Sequence, residues 1–359
     1  MKKVGIISMY GIFNYGNRLQ NYALYKYVEN LGFDAYSIKN YPYSNNKIKN
    51  LKDIYHYLKR KKAPFKTSKK RKDNFKKFNN KIKFWNKEIT YYNAKKFDFD
   101  YFIVGSDQVW NPNYRSLSYI ELLSFAEKKK RISYAASFGI SKLDEKYHNT
   151  ARKELLEFNK ISVRENTGKE IVEGLTKRND VEVVIDPTML LKKEEWDEVS
   201  IKPKQYHGEK YILTYFLGEL SEERKNVIKN TAKEHDCKII NLLDENDPYY
   251  TCGPSEFLWL EKNAFLICTD SFHSSVFAII YNRPFVVFDR DGQGKNKMGS
   301  RIDTLITKFK LKDRKYNEKS ITKNNLNCDY SEASIILEKE REKSRIFLEN
   351  ALELNDRGE

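Results

Sequence analysis

Short apolar runs that each stop at a polar cluster recur along this chain. Val4 to Met9 is the first, and a loop with two glycines, Gly11 and Gly16, follows it. Apolar positions at Leu19, Ala23, Leu24, Tyr27, Val28 and Leu31 then repeat with the helical period, and Gly32 stands at the C-cap. Ala35 to Ile38 reads as a second strand, completing a βαβ unit. The pattern returns after residue 96. Asp100 to Val104 predicts a strand ending in Gly105-Ser106-Asp107-Gln108. Ile132 to Ala136 predicts another, ending in Ser137-Phe138-Gly139. Residues 142 to 158 form an amphipathic pattern. Ile161 to Val163 runs into Arg164-Glu165-Asn166, a helix is expected from Thr167 to Leu175, and Val181 to Ile185 stops at Asp186-Pro187.

A charged, proline-containing stretch from about Leu190 to Gly208 marks a crossing to a second series. Strands are expected at Tyr211 to Phe216, Lys238 to Leu242, Ala264 to Cys268 and Phe285 to Phe288. Helices are expected at Glu222 to His235, from Pro254, after Thr269, near Ser300-Arg301, and over Ser331 to Leu354. Strands alternating with helices predict parallel sheets. The resulting fold class is α/β, with two Rossmann-like domains of mostly parallel sheet and a ligand cleft between them. The expected boundaries are 1–190, carrying a basic helical insertion at about 47–96, then 191–330, then a C-terminal helix over 331–359.

The polar clusters sit where strand carboxyl ends fall, the usual ligand side of such sheets. Thr269-Asp270-Ser271-Phe272-His273-Ser274-Ser275 opens a helix, and a helix N-terminus favours an anion, phosphate or carboxylate. The bland reading of the same residues is an ordinary N-cap with a satisfied histidine. The first loop is not a GxGxxG fingerprint; its glycines allow close backbone approach, and Asn14, Asn17 and Arg18 supply polar groups.

The net charge of +16 lies in one place. Residues 47–96 hold nineteen Lys or Arg and three Asp or Glu, 19 − 3 = +16, so the rest of the chain sums to about zero. Aromatics dot that stretch: Tyr55, Tyr57, Phe65, Phe75, Phe78, Phe84 and Trp85. A solvated helical insertion explains it, as does binding to an anionic membrane face; a nucleic-acid partner is not expected. The four cysteines show no metal or redox spacing, consistent with reduced thiols in a cytoplasm. No apolar run approaches a membrane span, and the N-terminal apolar stretch is too short for a signal peptide.

Six segments, in order, resemble the polysaccharide pyruvyl transferase family: GIFNYGNRLQNYAL (11–24), GSDQVWNP (105–112), SYAASFG (133–139), ISVREN (161–166), VIDPT (184–188) and TDSFHSSVFAIIYNRPF (269–285). The resemblance implies a GT-B-like pair of Rossmann-like domains. It also implies transfer of the enolpyruvyl unit of phosphoenolpyruvate to two hydroxyls of a cell-envelope or exopolysaccharide sugar, often lipid-linked. No cofactor beyond phosphoenolpyruvate as donor is expected, and no metal. Two positions depart from the pattern: Ser271 stands where many members carry Arg, and Ser274 where Gly is common.

Ketal formation needs a general acid/base, cations for phosphate and carboxylate, and polar groups for the sugar. Against that list, His273 and Asp107 are the candidate catalytic residues, since histidine ordinarily titrates near neutrality. Arg164, Ser274, Ser275 and Arg301 are the candidate phosphoenolpyruvate ligands. Asn14, Asn17, Arg18, Gln108 and Trp110 are the candidate acceptor contacts, Trp110 as a stacking face. The expected setting is cytoplasmic, peripheral on the inner membrane face through residues 47–96. Two alternatives stay open: a GT-B glycosyltransferase using a nucleotide sugar, and a non-catalytic envelope-assembly protein.

Overall fold

The computed structural model describes residues 1–10, 13–40, 68–114, 117, 119–290, 299–317 and 319–354. It divides into two units. The first comprises Met1–Thr67, Asn80–Leu190 and Arg341–Glu359, the second Ser68–Asn79 and Leu191–Glu340.

The first unit holds a six-stranded sheet: β1 (Lys3–Ile7), β2 (Asp34–Ile38), β3 (Tyr101–Val104), β4 (Arg131–Ala136), β5 (Lys160–Val163) and β6 (Glu182–Val183). Its order is β2-β1-β3-β4-β5-β6, and every pair is parallel. The second holds β7 (Tyr211–Tyr215), β8 (Lys238–Asn241), β9 (Leu266–Thr269) and β10 (Phe285–Val287), in the order β10-β9-β7-β8, again parallel. Strands such as β3, β4, β7 and β9 are buried at every residue. That is why they read as continuous apolar runs: both faces of a parallel sheet are covered. Both sheets reverse their winding beside their first strand. The switch points lie between β1 and β3 and between β7 and β9, the positions at which open parallel sheets generally bind ligands.

The basic segment differs from expectation. Residues 41–67 lie outside the described residues, and with them Tyr55, Tyr57 and Phe65. A helix spans Lys69–Asn79, but it belongs to the second unit, not to the first as an insertion. Phe75 and Phe78 are buried beneath it. Residues 80–96 are mostly irregular. Trp85 N–H donates to Ser37 O (2.9 Å) and Ser37 N–H to Lys83 O (2.9 Å), so this stretch covers the outer edge of β2. Trp85 packs edge-on against Tyr36 and Phe99. The aromatics of the described part are therefore packing residues.

The tail also differs. One helix runs over Ser331–Ala351, but it is not a separate piece: Ser331–Glu340 counts with the second unit and the remainder with the first. Its second half finishes the β6 side. Ser344 Oγ accepts from Ile185 N–H (3.3 Å), Arg341 Nε donates to Met189 O (2.7 Å), and Lys343 Nζ donates to Val183 O (2.9 Å). The amphipathic stretch 142–158 yields a shorter helix, His148–Leu155, preceded by a 3-10 turn at Glu145–Tyr147. No helix among the described residues is long and apolar enough to cross a membrane.

Arg71 fastens the Lys69–Asn79 helix. It is buried, donates from Nη1 to Leu242 O and Tyr250 O, and lies 4.6 Å from the Tyr250 ring centroid. Asn74 Nδ2 adds a bond to Thr251 O (2.9 Å). Truncation by Arg71→Ala removes charge-assisted bonds and a cation–π contact together. It is expected to cost about 3 kcal/mol, read as a lower urea midpoint.

Candidate active site

Two clusters of functional side chains form, one in each unit, each at the carboxyl ends of its strands. In the first unit the chain leaves β3 through Gly105, whose φ of +139° and close approach to Tyr134 exclude a side chain: a Cβ would lie 2.0 Å from Tyr134 O. Asp107 follows with φ +60°, an uncommon conformation for a residue with a side chain. Its carbonyl holds that turn by accepting from Val109 N–H (2.8 Å) and Ser137 N–H (3.0 Å). The turn aims the Asp107 carboxylate across the switch point, where Oδ2 accepts from Asn17 Nδ2 in the first turn of the helix Tyr15–Asn30.

On its other side Asp107 meets Arg164, which lies just past β5. Arg164 donates to Asp186 Oδ2 (2.6 Å) and Asp107 Oδ1 (3.4 Å), and its Nε lies 3.9 Å from Glu165 Oε2. Burial alone would push this guanidinium down, but Asp186, Asp107 and Glu165 outweigh it and hold the group above its ordinary value. Asp186 also accepts from Ser106 Oγ (3.2 Å), Thr188 N–H (3.1 Å) and Thr188 Oγ1 (2.8 Å). Glu165 Oε1 accepts from Ser137 Oγ (2.7 Å), Phe138 N–H (3.1 Å) and Gly139 N–H (3.4 Å).

Three expectations for this unit need correction. Trp110 is fully buried, donates from Nε1 to Glu121 O (2.9 Å) and packs against Phe138 and Phe158, so it presents no stacking face. Arg164 is enclosed by Asp107, Glu165 and Asp186, so its guanidinium is committed to carboxylates rather than offered as a phosphate clamp. Asn14, expected as an acceptor contact, caps the first helix, accepting from Asn17 N–H (3.0 Å). Arg18 is fully buried, donating to Met9 O (3.1 Å) with its guanidinium 4.3 Å from the Tyr10 centroid. Gln108 Oε1 accepts from Asn111 Nδ2 (2.6 Å) and lies against Gly139. Asn17, Asp107 and Gln108 keep between 5% and 7% exposure, Arg164 keeps 5%, and Asn14 is half-buried.

In the second unit β9 ends at Thr269, and Asp270 turns back across the other switch point. Its Oδ1 accepts from Leu217 N–H (2.7 Å) and its Oδ2 from Gly218 N–H (2.8 Å), both just past β7. Arg290, past β10, donates from Nε to Asp270 Oδ2 (2.8 Å) and from Nη2 to Asp270 O (3.4 Å). Its Nη1 makes no hydrogen bond to a described residue, and the side chain is half-buried. This cation with an open edge was missed in the sequence, although β10 ends in Asp289-Arg290 as other strands end in polar pairs.

Helix Phe272–Ile280 begins beside it. Ser271 caps the helix, accepting from Ser274 N–H. His273 keeps 7% exposure. Arg301 lies 5.9 Å from the ring centroid of Phe272 and so stands at the same helix start. The two serines do not line an anion pocket: Ser274 Oγ donates to Glu261 Oε1 (2.6 Å) and Ser275 Oγ to Ser271 O (3.0 Å), both inward. Residues 291–298 lie outside the described residues. No group of acids, histidines and cysteines suited to a metal ion occurs among the described residues.

The two clusters differ in charge. The first gathers three carboxylates about one guanidinium and offers acceptors for hydroxyl protons. The second holds Arg290 on Asp270, with His273 three residues further along the chain and Arg301 beside the Phe272 ring.

Paired parallel α/β units of this kind are the GT-B-like class. Among solved structures, a putative UDP-N-acetylglucosamine 2-epimerase from Listeria monocytogenes is similar at 12% identity and TM-score 0.52, over 96% of this chain and 91% of that one. A UDP-N-acetylglucosamine 2-epimerase from Rickettsia bellii is similar at 14% identity and TM-score 0.42, over 99% and 98%. No curated protein sequence matches significantly. The profile of the family described as polysaccharide pyruvyl transferase matches residues 14–292, and the chain belongs to that family.

Glu261 gives a pH signature beneath the His273 helix. It is fully buried, and burial pushes its carboxyl well above the ordinary range, only partly offset by the bond from Ser274. Below pH 4.5, the ordinary value, folded and unfolded chains both hold this proton. Above it the unfolded chain ionises first, so stability falls as pH rises toward the folded value. Glu261→Gln keeps an acceptor for Ser274 without the proton. The variant should gain on the parent by up to about 1.4 kcal/mol per pH unit above that range, with no gain near pH 4.5. Melting curves across pH check it.

Proposed function

We propose that this family member transfers the enolpyruvyl unit of phosphoenolpyruvate to two hydroxyls of a sugar in a cell-envelope or exopolysaccharide unit. The product is a pyruvate ketal, and inorganic phosphate is released. The observation that carries this reading is the half-buried Arg290 fork, held on Asp270 beside the start of the His273 helix. Ser271 leaves that place without the arginine common in the family, and Arg290 supplies a cation there in its stead.

The anionic donor then belongs to the second unit. Arg290 and Arg301 hold its phosphate and carboxylate, and the positive end of the Phe272–Ile280 helix adds to their field. His273 delivers a proton to the methylene carbon as the adjacent carbon takes on oxocarbenium character. The acceptor belongs to the first unit. Asp107, fixed by Arg164 and Asn17, takes a proton from the attacking hydroxyl, and Gln108 and Asn17 bind neighbouring hydroxyls. The new carbon–oxygen bond forms, phosphate departs by cleavage of its bond to the same carbon, and the second hydroxyl closes the ketal. Of the two hydroxyl protons, one balances the new methyl group and the other leaves with phosphate. No redox partner is needed.

Thermal shift with phosphoenolpyruvate against UDP-, GDP- and CMP-sugars tests the reading. Phosphoenolpyruvate should raise the melting point, and Arg290→Ala should weaken its binding by about tenfold or more. His273→Ala should retain binding while phosphate release falls by about 10²–10⁴-fold. Stabilisation by a nucleotide sugar, with none by phosphoenolpyruvate, would replace this reading with glycosyl transfer.

A further inference from the structure

The Lys69–Asn79 helix has one face committed to the second unit. Ser68 Oγ accepts from Arg71 N–H (3.2 Å) and starts the helix, and Arg71, Phe75 and Phe78 point into the unit. At about 100° per residue the opposite face carries Lys72, Lys76, Lys69, Lys77 and Lys70 in angular order, with Asp73 among them. All six side chains are exposed. None of the five lysines forms an ion pair or side-chain hydrogen bond with a described residue. Elsewhere lysines are often paired, as Lys83 with Asp34 and Lys308 with Glu340.

We propose that this face docks the protein on an anionic lipid surface. The inference stands on the helix alone, whichever reaction the protein performs. Five unpaired point charges along about 12 Å of helix match a layer of anionic headgroups rather than one ligand. The face carries no apolar residue, so contact stays at headgroup level without insertion. It carries no aromatic ring either, because Phe75 and Phe78 are on the docked side; a stacking platform for nucleotide bases is therefore missing. It is all lysine, with the helix's one arginine used inward, whereas bidentate phosphate recognition favours arginine.

Co-sedimentation of the full chain with phosphatidylglycerol–phosphatidylcholine vesicles, against phosphatidylcholine alone, is the test. Binding is expected only to the anionic vesicles, present at about 0.05 M salt and lost at about 0.5 M. Replacing Lys69, Lys72, Lys76 and Lys77 each by Glu should lower affinity by more than about 100-fold, at roughly fivefold or more per lysine. The same four positions as Gln provide a milder variant if the first does not fold. Replacing Lys95, Lys96, Lys128 and Lys129 each by Glu changes net charge equally and should leave most binding intact. The proposal is overturned if wild type ignores anionic vesicles at low salt, if the helix variants bind as wild type, or if both sets lose binding equally. It is also overturned if duplex DNA competes the protein off the vesicles at equal phosphate concentration.

Discussion

A guanidinium taken out of water costs several kcal/mol unless carboxylates surround it, and the first unit is arranged around that requirement at Arg164. Its partners arrive from separate strand ends: Asp107 from β3, Asp186 from beyond β6, and Glu165 from its own strand. One cation thereby ties three strand exits together. The acids then extend the tie. Asp186 secures Ser106 and Thr188, and Glu165 secures the Ser137–Gly139 turn. Of the three acids, Asp107 keeps the most exposure.

The second unit repeats the plan with the charges exchanged. Strand orders β2-β1-β3-β4 and β8-β7-β9-β10 correspond, and in each an aspartate just past the third-placed strand reaches back toward the loop after the central one. In the first unit the aspartate is presented and the arginine is enclosed. In the second, Asp270 is consumed by two backbone amides and Arg290, and the arginine keeps an open edge. Two sites of similar geometry thus present opposite charges, a carboxylate in one and a guanidinium in the other.

Much of this was legible in the chain because strand exits are local events. An apolar run that stops at Gly-Ser-Asp or Thr-Asp-Ser marks its own carboxyl end, and both clusters fall on such stops. Side-chain direction was less legible. Trp110 and Ser274 stand one to three residues from Asp107, Gln108 and His273, yet turn toward Glu121 and Glu261, partners no local pattern reveals. Arg164 looked like a ligand clamp because its three carboxylates are distant in sequence or, in Glu165, readable as a solvent pair. The Lys69–Asn79 helix was assigned to the wrong unit for the same reason: its fastening to Leu242 and Tyr250 spans more than 170 residues. Arg290 obeys the same strand-exit rule, standing just past the carboxyl end of β10.

Neither unit is a continuous stretch of chain, and this bears on synthesis. The second unit draws on Ser68–Asn79, made long before the rest of it, and that helix must wait with its apolar side uncovered until Leu242 and Tyr250 emerge. The first unit has most of its sheet early, yet β6 lacks its cover until Arg341–Ala351 leaves the ribosome. Each unit is thus completed by a stretch of chain made at another time, and a helix made after the second sheet closes the first one.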